Sequence, residues 1–164
     1  MPPAFINNVS VTVTINSISA IKLNEKPPQG EITFDVGAKL EEKERKSSQA
    51  NVIFILTVST KPSIVKFGIE GTATLEGKDA EIEKLLEIDP ETKIPKLLDK
   101  IYQHAFMTLY LISTAMNTPY PPPDLFHSAK QTPSIEMSTA TPNGENIATA
   151  SEPPPEKENA ENQT

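Results

Sequence analysis

The two histidines, His104 and His127, are the side chains of this 164-residue chain best suited to moving protons near neutral pH. Neither stands at a spacing that builds a site. His104 falls beside an apolar helical stripe, the position of a helix flank, and His127 borders a polar, proline-rich stretch. Glu70 and Asp89 are carboxylates of the kind general acid–base chemistry uses. Glu70, however, alternates outward on a strand pattern, and Asp89 precedes a proline as a helix-start residue. Cysteine is absent, which excludes a thiolate nucleophile, a thiolate metal site and a disulfide framework. The chain also lacks a glycine-rich phosphate loop, a nucleophile elbow and any histidine–carboxylate spacing of a metal set. The expectation is a protein that is not an enzyme and carries no cofactor.

The formal charge of −7 repels phosphate backbones and anionic membrane surfaces, so nucleic acid is not an expected partner. The first residues carry no basic region and no continuous apolar run, and no apolar stretch approaches the roughly 20 residues that span a bilayer. A cytoplasmic protein without membrane insertion is expected.

The elements follow from periodicity. Val9, Val11, Val13 and Ile15 alternate with polar residues as a long strand, and the odd series continues through Ser17 and Ser19 to Ile21 and Leu23. Ile18 falls out of phase, which predicts a bend or bulge near Asn16. After a loop containing Pro27 and Pro28, a second strand places Ile32, Phe34, Val36, Ala38 and Leu40 on one face. The mixed charges of residues 41–49 read as solvated strand ends around a hairpin turn. The third strand carries Val52, Phe54, Leu56 and Val58 on one face and Ile53 and Ile55 on the other, and a strand apolar on both faces must be covered on both. A turn at Lys61-Pro62-Ser63 leads to a fourth strand burying Val65, Phe67, Ile69, Ala73 and Leu75, with Ile64 as an outward exception. Short connections favour an antiparallel meander of these four strands.

Beyond Gly77 the period becomes helical. Asp79 can cap a short helix buried through Ile82, Leu85 and Leu86, and Asp89-Pro90 opens a longer one whose effective first turn lies at Pro95. Its stripe runs from Ile94 through Leu97, Leu98, Ile101, Tyr102, Ala105 and Leu109 to Met116, with Tyr110 and Leu111 partly off it. That helix should lie across the sheet. An extended segment with Tyr120, Leu125 and Phe126 follows. The expected fold is therefore α+β: a four-stranded antiparallel meander, a short helix and one long amphipathic helix, as a domain over residues 1–127. From Ser128 the composition is Pro, Ser, Thr, Asn and Glu with no surviving period, so residues 128–164 read as a disordered acidic tail.

The run Val65-Lys66-Phe67-Gly68-Ile69-Glu70-Gly71-Thr72-Ala73-Thr74-Leu75-Glu76-Gly77 resembles the last strand of the SecB-like export chaperones. Asp89-Pro90 through Pro95 is similar to that family's entry into its first long helix. Thr118-Pro119-Tyr120-Pro121-Pro122-Pro123-Asp124-Leu125-Phe126 is similar to its helix-connecting loop. The resemblance covers about residues 9 to 126. The family's aromatic-rich helix start is replaced by Lys96-Leu97-Leu98-Asp99-Lys100, and its second long helix has no counterpart after Phe126.

What the resemblance implies is a homotetramer, a dimer of dimers, that holds unfolded polypeptide clients in apolar grooves without ATP and hands them to a translocation-machinery partner. The residues offer such a surface themselves. Ile53, Ile55 and Ile64 on the sheet, Pro27 and Pro28 in one loop, and Tyr120, Leu125 and Phe126 in the other are the candidate client-binding set. Each client side chain buried there is worth about 1.5 to 3 kcal/mol, so several shallow contacts bind with little sequence preference. The alternative is a non-catalytic homo-oligomer that serves one dedicated partner, such as an antitoxin, with the same isoleucines forming a subunit interface.

Overall fold

The structure, a computed structural model, describes residues 4–6, 8–26, 29–127 and 133–138. In chain order the elements are β1 (Ala4–Ile6), β2 (Val9–Lys22), β3 (Thr33–Lys46), β4 (Gln49–Lys61), β5 (Val65–Glu76), α1 (Asp79–Leu86), α2 (Lys96–Met116) and β6 (Ser134–Ser138). The six strands make one sheet in the order β1-β2-β5-β4-β3-β6. Helix α2 packs on β2 and β5, and α1 packs on β4 and against α2, so both helices cover one face.

The α+β class, the four long strands and the short and long helices are as the periodicities predict. The strand order is not. A meander would set β2 beside β3, whereas β2 pairs antiparallel with β5 from Ser10↔Glu76 to Lys22↔Val65. The connectivity is that of a Greek key with its long connection first. Residues 23–32 make this feasible, because a stretch of that length reaches roughly 30 Å while three interstrand steps need about 14 Å. The outer face of β3, with Asp35, Lys39 and Glu41, suits a place toward the edge, and β4 and β5 take the centre.

The bend expected in β2 is a bulge between Ile15 and Ser17. One extra residue reverses which parity faces the helices: Val9, Val11, Val13 and Ile15 point inward before it, Ile18 and Ala20 after it. Ile21 and Leu23, which an unbroken alternation would bury, are consequently exposed. Gly71 stands opposite Ile15 at this point. A Cβ there would come within 2.2 Å of the Thr14 carbonyl oxygen and 2.7 Å of the Phe54 ring, so the bulge closes only over a glycine.

The charged run beyond Glu41 does more than solvate a hairpin. β3 continues to Lys46, and Arg45 reaches from it to α1, with Nε 2.8 Å from Asp79 Oδ1, Nη2 2.8 Å from Glu83 Oε2 and Nη1 3.3 Å from the buried Glu42. Partial burial opposes the charge on this guanidinium, but the hydrogen bonds to Asp79 and Glu83 prevail and raise its pKa. Asp79 is thus a first-turn acid favoured by the helix dipole; the N-cap is Lys78, without a side-chain cap.

The long helix starts later than Asp89-Pro90 suggests. Asp89 Oδ1 accepts the backbone N–H groups of Glu91 at 2.8 Å and Thr92 at 3.3 Å, which shapes a turn and holds the carboxyl below its ordinary range. Pro95 is the N-cap and α2 begins at Lys96. Leu97, Leu98, Ile101, Tyr102, Ala105 and Leu109 are its buried stripe. It ends at Asn117, whose N–H still bonds the Thr114 carbonyl at 3.2 Å and whose left-handed backbone (φ 51°) turns the Thr118 N–H to the Ser113 carbonyl at 3.0 Å.

Residues Ser134–Ser138 correct the expectation that no element follows residue 127. They pair in parallel with β3, from Gly37↔Ser134 to Glu41↔Ser138, and extend the sheet. Five residues are too few for their alternation to stand out of a polar background. Residues 128–132 and those from 139 onward, on which the rest of the tail expectation falls, lie outside the described residues.

Candidate functional site: the apolar surfaces

The helices bury one face of the sheet, so odd-numbered residues of β4 face away from them. Ile53 and Ile55 lie there, 37% and 42% exposed, on a strand hydrogen-bonded on both sides. Ile53 stands between Glu41 and Thr72, and Ile55 between Lys39 and Glu70. The pair is therefore apolar within a charged frame. Gly37, Lys39, Thr57, Ser134 and Glu136 line with Ile55 a shallow depression of about 200 Å³.

Ile64, expected outward with them, is buried. The hairpin turn explains this correction. The hydroxyl of the buried Thr60 accepts the N–H groups of Ile64 at 2.8 Å and Val65 at 3.1 Å, while the Ile64 carbonyl accepts from Leu23 at 2.7 Å. These bonds draw Ile64 beneath the exit of β2, away from solvent.

Leu125 and Phe126 are also corrected: both are buried in the main core. The proline segment is tied to α2 by the Tyr102 hydroxyl, which donates to the Pro122 carbonyl at 2.5 Å, and by Gln103, whose Nε2 donates to the Pro123 carbonyl at 3.0 Å. Phe126 meets the Tyr102 ring edge-on at 5.3 Å. Burial, and secondarily the charge of Asp124, push the Tyr102 phenol well above the ordinary tyrosine range. Tyr120 alone of the three apolar residues stays half exposed, its ring edge-on to Tyr110 at 4.8 Å. Pro27 and Pro28 lie outside the described residues.

The candidate set is thus not one surface of one chain. Ile53 and Ile55 are on the open sheet face, and Tyr120 is on the helical layer. Tyr120 instead joins Met107, Tyr110 and Leu111, a ridge at three- and four-residue spacing that α2 presents away from the sheet. Met107 and Leu111 are each 60% exposed. The signal was visible in Tyr110 and Leu111 lying off the buried stripe; Met107 was hidden because methionine suits a core equally well.

A third apolar feature had no sequence signal. Leu40, Val52, Leu86 and Met137 of β6, with Glu42, Glu83, Glu87 and Ser138, line a cleft of about 80 Å³ between the β3 end of the sheet and α1. The histidines gather no chemistry around these surfaces. His104 is half-buried on α2, and His127 is exposed at a depression shared with Asp89, Lys96 and Asp99. Among the described residues no three His, Cys, Asp or Glu side chains group to hold a metal, and no helix is long and apolar enough to cross a membrane.

The chain is similar to the Mycobacterium tuberculosis Rv1957 SecB-like chaperone, solved in complex with a ChAD peptide from the Rv1956 HigA1 antitoxin. The TM-score is 0.50 at 11% identity, over 69% of this chain and 87% of that one. The fold is SecB-like. No family model matches the sequence, and no curated protein matches it either. In this SecB-like fold the proline segment closes over the core, as the buried Leu125 and Phe126 show, and β6 follows it.

Proposed function

We propose that this protein is an ATP-independent holdase that binds unfolded polypeptide segments, acting in the cytoplasm as a homo-oligomer. The observation that carries the reading is the exposure of Ile53 and Ile55 on a strand paired on both sides. Apolar side chains held by a full backbone ladder cannot collapse inward, so they remain available to a client. The SecB-like fold and a neighbour bound to a peptide support it. The ridge of Met107, Tyr110 and Leu111 is the surface through which copies would associate, since it leaves apolar side chains exposed together on the helical layer. Delivery of clients to an export motor belongs to the same proposal.

A second reading is a dedicated partner of one protein, favoured by the neighbour's complex with a peptide from an antitoxin. Suppression of aggregation separates them. A holdase slows aggregation of several unrelated unfolded proteins at stoichiometric amounts; protection of none of them removes the general reading and leaves the dedicated one.

A further inference from the structure

β3 is fourteen residues long, and β6 pairs with only five of them along its outward edge. This is a parallel pair in a sheet whose other named pairings are antiparallel. Parallel ladders are slightly less stable per residue. Ile135 and Met137 face Ala38 and Leu40 across it and turn toward the helix-covered side; Ser134, Glu136 and Ser138 face out. Ile135 is half-buried against the core. Met137 remains 37% exposed at the cleft it lines with Leu40, Val52 and Leu86 and with the acidic Glu42, Glu83 and Glu87, and about 80 Å³ there is unfilled. Among the described residues no side-chain hydrogen bond or ion pair fastens β6 to the sheet.

β6 is therefore attached by a short backbone ladder and two apolar side chains, one of which underfills its site. Backbone pairing with pockets for alternate side chains is how a sheet edge accepts an extended peptide. We infer that the outward edge of β3, with the cleft beneath Met137, is a binding site for an extended segment of a partner protein carrying apolar side chains at alternate positions, and that β6 is the chain's own competitor for it. A partner residue larger than methionine at the position of Met137 fills the cleft better than the resident strand. Tethering supplies β6 at an effective concentration in the millimolar range, so the resident strand lowers the apparent affinity of every incoming segment. The inference stands on this edge and does not depend on the holdase reading, which rests on the opposite, open face.

The test is a reversible lock. Lys39 and Glu136 are register partners on the open face, and the roughly 4.8 Å between neighbouring strands lies within the Cα separation a disulfide accepts. Because the natural sequence has no cysteine, full-length protein with Lys39→Cys and Glu136→Cys reports on that bond alone. The probe is a fluorescent peptide copying residues 133–139 with Met137→Phe. Expected are an intrachain disulfide, binding to the reduced protein, loss of at least about tenfold in affinity on oxidation, and recovery with reductant. Full-length Ile135→Asp, which releases the strand without touching the β3 edge, should bind the probe about tenfold more tightly than the natural chain, and the unsubstituted peptide should bind more weakly than the probe. Equal affinity in the oxidised and reduced states overturns the proposal, as does an unchanged affinity in Ile135→Asp. A disulfide that forms only between chains also overturns it, because the occupant is then a second copy. Peptide capture together with no aggregation suppression leaves this proposal standing and removes the holdase reading alone.

Discussion

Ile15 faces Gly71 across the β2–β5 ladder at the residue pair where β2 gains its extra residue, and the carbonyl of Thr14 lies where a Gly71 side chain would begin. Gly71→Ala should therefore cost about 1 to 3 kcal/mol, because the obstruction is backbone and the Phe54 ring. Gly68→Ala, where the added carbon meets only the Ser19 hydroxyl, should stay within about 0.5 kcal/mol. Urea denaturation of the two variants measures the contrast; equal losses would show that the bulge does not require the glycine.

Arg45 joins β3 to α1 through Asp79 and Glu83 and also partners the buried Glu42. Asp79 and Glu83 are largely exposed, so solvent discounts those two pairs, and the cost of losing Arg45 falls mainly on Glu42. Arg45→Met should destabilise by about 1 to 3 kcal/mol. Arg45→Lys should recover little, since one ammonium cannot match a planar fork shared among three carboxylates. Adding Glu42→Leu to Arg45→Met should restore part of the loss in thermal unfolding.

The phenol of Tyr102 is raised above its ordinary pKa because burial, and secondarily the charge of Asp124, disfavours the ionised form. A raised folded value means that this contribution is complete below the unfolded pKa of about 10 and is lost as pH climbs through the folded one. Tyrosinate absorbance should show one phenol titrating late, and Tyr102→Phe should abolish that late step. The same variant should lose about 1 kcal/mol at neutral pH from the missing bond to Pro122.

Ile53→Asp and Ile55→Asp change partly exposed side chains on a central strand and set a carboxylate beside Glu41 and Glu70, so each should cost about 1 to 3 kcal/mol without unfolding the chain. Under the holdase proposal the double variant protects unfolded clients markedly less while keeping the oligomer. Light scattering beside an aggregation assay distinguishes this from an interface role, in which the oligomer is lost first.

Leu111→Glu places a charge on the α2 ridge. If that ridge joins copies of the chain, the variant should shift to a smaller species in light scattering with its circular dichroism unchanged. An unaltered mass would remove α2 as the contact.

Which residues form the four long strands and the two helices was legible because burial follows local period: the alternation of β4 and the stripe of α2 each stand in a contiguous run of residues. Even the bulge announced itself, through Ile18 arriving out of phase. The order of the strands was not legible. Residues 23–32 are long enough to reach either neighbour, and which one is taken depends on the packing of all four strands at once.

The sequence by itself determined the α+β class and the buried faces of β3, β4 and β5, because these depend on residues one to four positions apart. Tertiary structure alone decided that Ile64, Leu125 and Phe126 are buried, that Tyr120 joins the α2 ridge, and that residues 134–138 complete the edge of β3. Each of those outcomes depends on hydrogen bonds or packing between distant segments: Thr60 and Leu23 around Ile64, Tyr102 against Pro122 and Phe126, and the β3 edge against Ile135. Periodicity carries no record of such partners, and here they determine which apolar side chains remain exposed.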